Sequence, residues 1–202
     1  SFDYQTRGLF QFDLSDISKS IVDNNIKESA KYFLRLYEAE GNQELSTEYT
    51  LAALTISQSW DEGRGKFEDS PKVTDGASWE NRINKPNSNP LTWSYAVGLP
   101  FHGTSYISRS GNIASQSFSY ESADVNMNIT DIVNNWLTGS NASHYCNNNG
   151  LLLKYSGSQE TDEETFGELK FFSADTHTIY SPRLEVRWDD HIACSGSNTG
   201  SL

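Results

Sequence analysis

The sequence predicts an all-β domain, an antiparallel β-sandwich with one short α-helix near 130–138 and long Trp-rich loops. Three observations carry this expectation. Short apolar segments alternate with polar residues at a period of two along much of the chain. Aromatic residues make up 12% with only one Met, a balance that suits strands better than packed helices. Only one segment switches to a helical period.

The first strand lies in Leu9-Phe10-Gln11-Phe12-Asp13-Leu14, where Phe10, Phe12 and Leu14 share one face and Gln11 and Asp13 the other. Ser15-Asp16-Ile17-Ser18 follows as a turn or a single helical turn. Tyr32-Phe33-Leu34-Arg35-Leu36-Tyr37 and Tyr49-Thr50-Leu51-Ala52-Ala53-Leu54-Thr55-Ile56 give two more strands, connected through Gly41-Asn42. Ala114-Ser115-Gln116-Ser117-Phe118-Ser119-Tyr120 alternates with a serine face that is solvated or packed on a polar partner, and Val125-Asn126-Met127-Asn128-Ile129 repeats the pattern. The period then changes: Ile132 and Trp136 lie four apart, as do Val133 and Leu137, which is the spacing of one helix face. Thr130 is its expected N-cap, Asp131 suits the first turn, and Gly139 is expected to end it in the left-handed conformation. Leu151-Leu152-Leu153-Lys154-Tyr155, Glu168-Leu169-Lys170-Phe171-Phe172-Ser173 and Leu184-Glu185-Val186-Arg187-Trp188 complete the strands, the last with Leu184, Val186 and Trp188 inward and Glu185 and Arg187 outward.

Residues 59–111 are rich in Gly, Pro, Asn and Trp and lack periodicity, so they read as long ordered loops. Trp60, Trp79 and Trp93 there fit two uses, a stacking platform for sugar rings or plugs over the open end of a core, with the plug favoured. No repeat or composition shift divides the chain, which gives a single domain over 1–190. Residues 191–202 form a small, polar tail whose His191, Ile192 and Cys194 are candidate assembly contacts. The sequence starts without Met and close to a strand, the expectation for a processed or partial product of a longer gene.

A net charge of -12 repels a phosphate backbone, and the 15 Lys and Arg residues are scattered along the chain without a basic stripe, so nucleic acid is not an expected partner. No run approaches the ~20 apolar residues of a membrane span, and no signal-peptide pattern opens the chain, so it is expected to be soluble. Acidic runs such as Asp162-Glu163-Glu164 and Asp189-Asp190 read as solvated loops; Asp61, Glu62 and Asp75 are the calcium candidates, and no other cofactor is indicated. Cys146 and Cys194 sit among polar neighbours, which argues against a core position, and they lack zinc-site spacing; their pairing stays open.

No catalytic constellation stands out. His102, His144, His177 and His191 occur in no recognisable motif, and the Gly-x-Ser-x-Gly elbow is missing. Asp61, Glu62, Glu68 and Asp69 offer carboxylate pairs of the kind any acidic loop offers. Asn128-Ile129-Thr130 and Asn141-Ala142-Ser143 match the glycosylation acceptor pattern, as chance allows in an Asn-rich chain.

Four segments occur in a telling order: Phe12-Asp13-Leu14-Ser15, Leu34-Arg35-Leu36-Tyr37, Asn148-Asn149-Gly150-Leu151-Leu152-Leu153-Lys154 and Pro182-Arg183-Leu184-Glu185-Val186-Arg187-Trp188. Together with the helical segment 124–139, they resemble the disaggregatase-related, or DNRLRE, domain over most of the chain. Ser59-Trp60-Asp61-Glu62-Gly63, Val73-Thr74-Asp75-Gly76-Ala77-Ser78-Trp79 and Phe171-Phe172-Ser173-Ala174-Asp175-Thr176-His177 are most similar to the version in virion structural proteins of tailed phages. The resemblance implies a jelly-roll, carbohydrate-binding-module-like fold, with the Trp loops over the core, Trp136 filling the space under the helix and the last strand in a central position. It brings no catalytic residues. Family members carry opening strands before the region matched by Arg7 to Ser15, and this chain has few residues there, so the missing edge is expected to be disordered or supplied by a neighbour through strand addition.

The functional expectation is a non-enzymatic virion protein of the tail, baseplate or fibre, assembling with other virion subunits and with its own copies. The alternative is a carbohydrate-binding module or head-surface decoration protein, secreted or at a cell surface, that binds glycans. A polysaccharide-acting enzyme is the third reading.

Overall fold

The computed structural model describes residues 5–27, 29–40, 48–66, 69–94, 103–119, 123–161 and 169–189. Within them the chain is mostly β, with two helices and several antiparallel sheets, none of which closes into a barrel. Gly41-Asn42, Glu68, His102, Asp162-Glu163-Glu164, Asp190 and the tail with His191, Ile192 and Cys194 lie outside the described residues.

A four-stranded sheet is made of β1 (Gly8–Phe10), β9 (Leu151–Tyr155), β4 (Glu48–Thr55) and β7 (Ile113–Ser119), in that spatial order. A three-stranded sheet places β2 (Lys31–Leu36) between β11 (Arg183–Arg187) and β8 (Val125–Asn128). Two small pairs join β3 (Glu38–Glu40) with β10 (Lys170–Phe171) and β5 (Asn81–Ile83) with β6 (Leu91–Thr92). The last strand is therefore an edge of its sheet among the described residues, not its centre: β11 pairs only with β2, through Leu184 opposite Leu34 and Val186 opposite Tyr32. Leu184 and Val186 pack on the core as their alternation requires, but Trp188 lies past the end of the strand and is 42% exposed.

The inward faces of the two larger sheets meet in one apolar cluster. Tyr32, Leu34 and Leu36 of β2, Val125 and Met127 of β8, Leu51 and Ala53 of β4 and Leu151 and Leu153 of β9 all contribute to it. Tyr49 and Phe118, directly opposite on β4 and β7, stack at 4.8 Å between ring centroids. Phe10, Phe12 and Leu14 line up on this cluster as predicted, although the paired part of their strand is only three residues long.

The runs Leu51-Ala52-Ala53-Leu54 and Leu151-Leu152-Leu153 break the alternation for a physical reason. Ala52, Leu54 and Leu152 point to the opposite face, into a second cluster with Ile56 and Trp93, so this part of the sheet is buried on both sides. The serine face of β7, at Ser115, Ser117 and Ser119, stays exposed.

Two helices are present where one was expected. α1 (Ser15–Val22) extends the anticipated turn, after Asp13 accepts the Ser15 backbone N–H at 2.9 Å. α2 (Thr130–Leu137) buries Ile132, Val133 and Trp136, as its spacing predicts. Its ends are built differently from expectation. Asn128 Oδ1 accepts the Thr130 N–H at 3.0 Å, while the Thr130 hydroxyl oxygen accepts the Tyr32 N–H at 3.0 Å and so ties the helix to β2. The helix stops because Thr138 turns extended, with φ -67° and ψ 146°, and Gly139 takes no left-handed turn. Cys146 is also in the core despite polar chain neighbours: the chain behind α2 turns it onto Asn112, whose Oδ1 lies 3.3 Å from its Sγ. Burial pushes its thiol up.

Candidate functional site

The Trp-rich segment is a layer laid over the outer face of the four-stranded sheet. Trp93 is 2% exposed against Ala52, Leu54, Ile56 and Leu152, and its indole N–H donates to the Ser78 carbonyl at 3.0 Å. Trp60 is half-buried on the same cluster and donates to the Asn149 carbonyl at 2.8 Å. Satisfying the indole N–H internally is what permits so large a side chain to be buried. Trp79 is half-buried too, with the Arg7 guanidinium 4.5 Å from its ring centroid. Trp60 and Trp93 therefore fasten the loop to the sheet, while Trp79 is covered by Arg7, just ahead of β1, so the three rings have separate partners.

The loop is closed by its own short contacts. A side chain at Gly76, which has φ +85°, would meet the Gly63 backbone at 2.2 Å, so the two strands of loop touch there through glycine alone. Arg64 bonds Asp75 twice, through its backbone N–H at 2.9 Å and its Nε at 2.6 Å, and these bonds hold the Asp75 carboxyl below its ordinary value. Asp61 pairs with Lys85 at 2.6 Å. Glu62 faces a different space, a groove of about 770 Å³ bounded by Leu9, Phe12, Trp60, Asn148 and Pro182. The three calcium candidates are thus divided between two cation partners and a groove, and no group of three metal-ligating side chains occurs among the described residues.

A second polar assembly joins the chain start to its last third. Glu160 takes Arg7 Nε at 2.6 Å on one oxygen and Lys154 Nζ on the other. Burial pushes its carboxyl up, but the bonds and charges of the two cations outweigh this and leave it below its ordinary value. Beside it a cleft of about 510 Å³ reaches Tyr155, whose hydroxyl is buried without a hydrogen-bond partner among the described residues and whose ionisation is pushed up to about 12, first by burial and then by Tyr49. That phenol stays protonated at neutral pH. His144 and His177 are exposed.

The third assembly was not legible as a basic stripe. On the outer face of the three-stranded sheet, β2 carries Lys31, Phe33 and Arg35, β11 carries Arg183, Glu185 and Arg187, and β8 carries Asn126 and Asn128. Four of the 15 cations therefore share one face with a single carboxylate, which corrects the scattered reading of the sequence. Arg187 lies 3.8 Å from the Phe33 ring centroid and bonds Asn126 at 2.9 Å and Glu185 at 2.8 Å. Arg35 lies over Tyr37 at 5.2 Å and 3.7 Å from Glu185.

No helix among the described residues is long and apolar enough to cross a membrane. Comparison with models of known protein families, with curated proteins and with solved structures finds no match to this chain, so the family resemblance rests on its motifs alone.

Proposed function

We propose that this chain is a non-enzymatic structural protein of a tailed-phage virion, a tail, baseplate or fibre component that acts by subunit assembly on an antiparallel β-sandwich of jelly-roll kind. The observation that carries the reading is the inward packing of Trp60 and Trp93 under the loop layer. Rings that fasten a loop layer to a sheet build a rigid shell, whereas a sugar platform needs coplanar rings left open. The convergence of two sheets and α2 on one cluster supports the sandwich. β1 and β11, which are edge strands among the described residues and have a groove between the residues flanking them, supply backbone groups on which a neighbour can be seated.

Purified particles test this directly. Mass spectrometry of gradient-purified virions and antibody labelling under the electron microscope are expected to find the chain in stoichiometric amount on the tail or fibre. Absence from the particles, or release of reducing ends from a panel of polysaccharides by the purified chain, overturns the proposal.

A further inference from the structure

We propose that β1 is a homodimer contact: its outer edge pairs antiparallel with the same strand of a second copy, Phe10 opposite Phe10, so that two four-stranded sheets join into one. The inference deepens the assembly reading above by naming the neighbour that β1 seats.

The first argument is which backbone groups are left over. The Gly150 carbonyl accepts the Ile56 N–H at 3.0 Å on the β4 side of β9. Alternation along β9 then turns the backbone groups of Leu151 and Leu153 toward β1, onto Phe10 and Gly8. Two contacts agree with this. Gly150 lies so close to the Phe10 carbonyl oxygen that a Cβ would meet it at 2.3 Å, and the Phe12 carbonyl accepts the Asn148 side-chain amide at 2.8 Å. The N–H and C=O groups of Leu9 and Gln11 therefore point away from β9, and among the described residues nothing bonds them. The groove of about 770 Å³ runs along residues 9–14 in succession, so this edge is open to a further strand.

The second argument is incomplete cover. Phe10 and Phe12 pack on the main core yet stay half-buried, whereas Leu34 and Leu151 of the same core are 0% exposed. Another strand beyond β1 would bring apolar side chains to the uncovered sides of these rings.

The third argument selects a second copy and its register. Two-fold symmetry requires a strand to be complementary to its own reverse. With Phe10 opposite Phe10, Leu9 of each copy faces Gln11 of the other, and the unpaired groups of both are satisfied together. The two Phe10 rings fall at the closely spaced position of the ladder, where aromatic pairs gain most. Gly8 falls opposite Phe12, a ring over an edge glycine. Arg7, positioned by Glu160 and Trp79, falls opposite the exposed Asp13, which has no cation partner among the described residues. Sliding the pairing by two residues brings Arg7 opposite Gln11 or Ser15 and loses both unlike pairs.

Sedimentation velocity of the full chain over the micromolar range tests the assignment, with a reversible monomer–dimer equilibrium expected. Gln11→Pro removes one outward N–H and places a ring on the edge without touching the bonds to β9, and should weaken the dimer by at least about tenfold. Gln11→Ala, which gives up only the side-chain bond to Asn148, should keep it. Asp13→Asn retains the acceptor for Ser15 and drops the charge opposite Arg7, so a loss of about two- to fivefold is expected. In the parent chain the Leu9 and Gln11 amides should exchange hydrogen more slowly at high protein concentration than at low. The proposal is overturned if the parent chain is a monomer throughout, if Gln11→Pro associates as the parent does, or if Gln11→Ala dissociates as Gln11→Pro does. It is equally overturned if Asp13→Asn has no effect or if exchange at residues 9 and 11 is independent of concentration. A monomer found in virions sinks this inference alone, and a dimer absent from virions sinks the virion reading alone.

Discussion

Among single residues, the tryptophans divide by what they touch. Trp93→Ala opens a cavity under the loop layer and should cost about 3–5 kcal/mol in urea unfolding; Trp79→Ala, which removes a ring partly wet and covered by Arg7, should cost about 1 kcal/mol. Glu160 governs an acid-sensitive share of stability. Its carboxyl lies below the ordinary value near 4.5 in the folded chain and returns to it on unfolding, so its stabilisation is complete above about pH 5.5 and is lost as pH falls through the folded value. Glu160→Gln leaves Arg7 and Lys154 facing an uncharged partner with 13% of the original side chain exposed. A loss of about 3 kcal/mol at neutral pH and a flatter acid limb in urea titrations are expected. The identity of such residues was legible, but their partners were not. Cys146 shows why: its chain neighbours are polar, yet Asn112, 34 positions away, makes its pocket. In a Cys194→Ser background its thiol should resist an aromatic disulfide reagent until denaturant is added.

At the level of elements, alternation located every strand long enough to repeat it. β2, β4, β7, β8, β9 and β11 all lie where period-two segments or apolar runs occur. β10 is the paired part of the strand expected over 168–173, whereas β3, β5 and β6, at two or three residues, are too short to carry a period. Position within a sheet was illegible because pairing is decided by distant segments, which is how β11 came to be expected at a centre and is found at an edge. The basic face escaped notice because Lys31 and Arg35 meet Arg183 and Arg187 only through a register spanning most of the chain. That register makes a further prediction. Arg183→Glu places unlike charges opposite each other and should raise the melting temperature by about 1–3 °C. Gly150 works at the same level: at φ +90° any Cβ would meet the Phe10 carbonyl oxygen at 2.3 Å. Gly150→Ala should cost about 1–3 kcal/mol and release β1 first, read as faster hydrogen exchange at residues 8–10.

For the whole molecule, the loop layer gives the four-stranded sheet two dry faces, one toward the three-stranded sheet and one under Trp93. Composition announced the tryptophans but not the second apolar layer, because the evidence for it is a failure of alternation in β4 and β9 that a short apolar run shares with other structures. The pairing of β1 with β9 has a consequence for biosynthesis. Gly8 meets Leu153, 145 positions later, and among the described residues no nearer strand pairs with Gly8, Leu9 or Phe10. At a translation rate of ~5–20 residues per second the first strand waits roughly 7–30 s for its template to be made. Throughout that interval the apolar face of Phe10, Phe12 and Leu14 is exposed on the nascent chain, which makes the opening segment, and not the Trp loops, the natural point of engagement for a ribosome-associated chaperone.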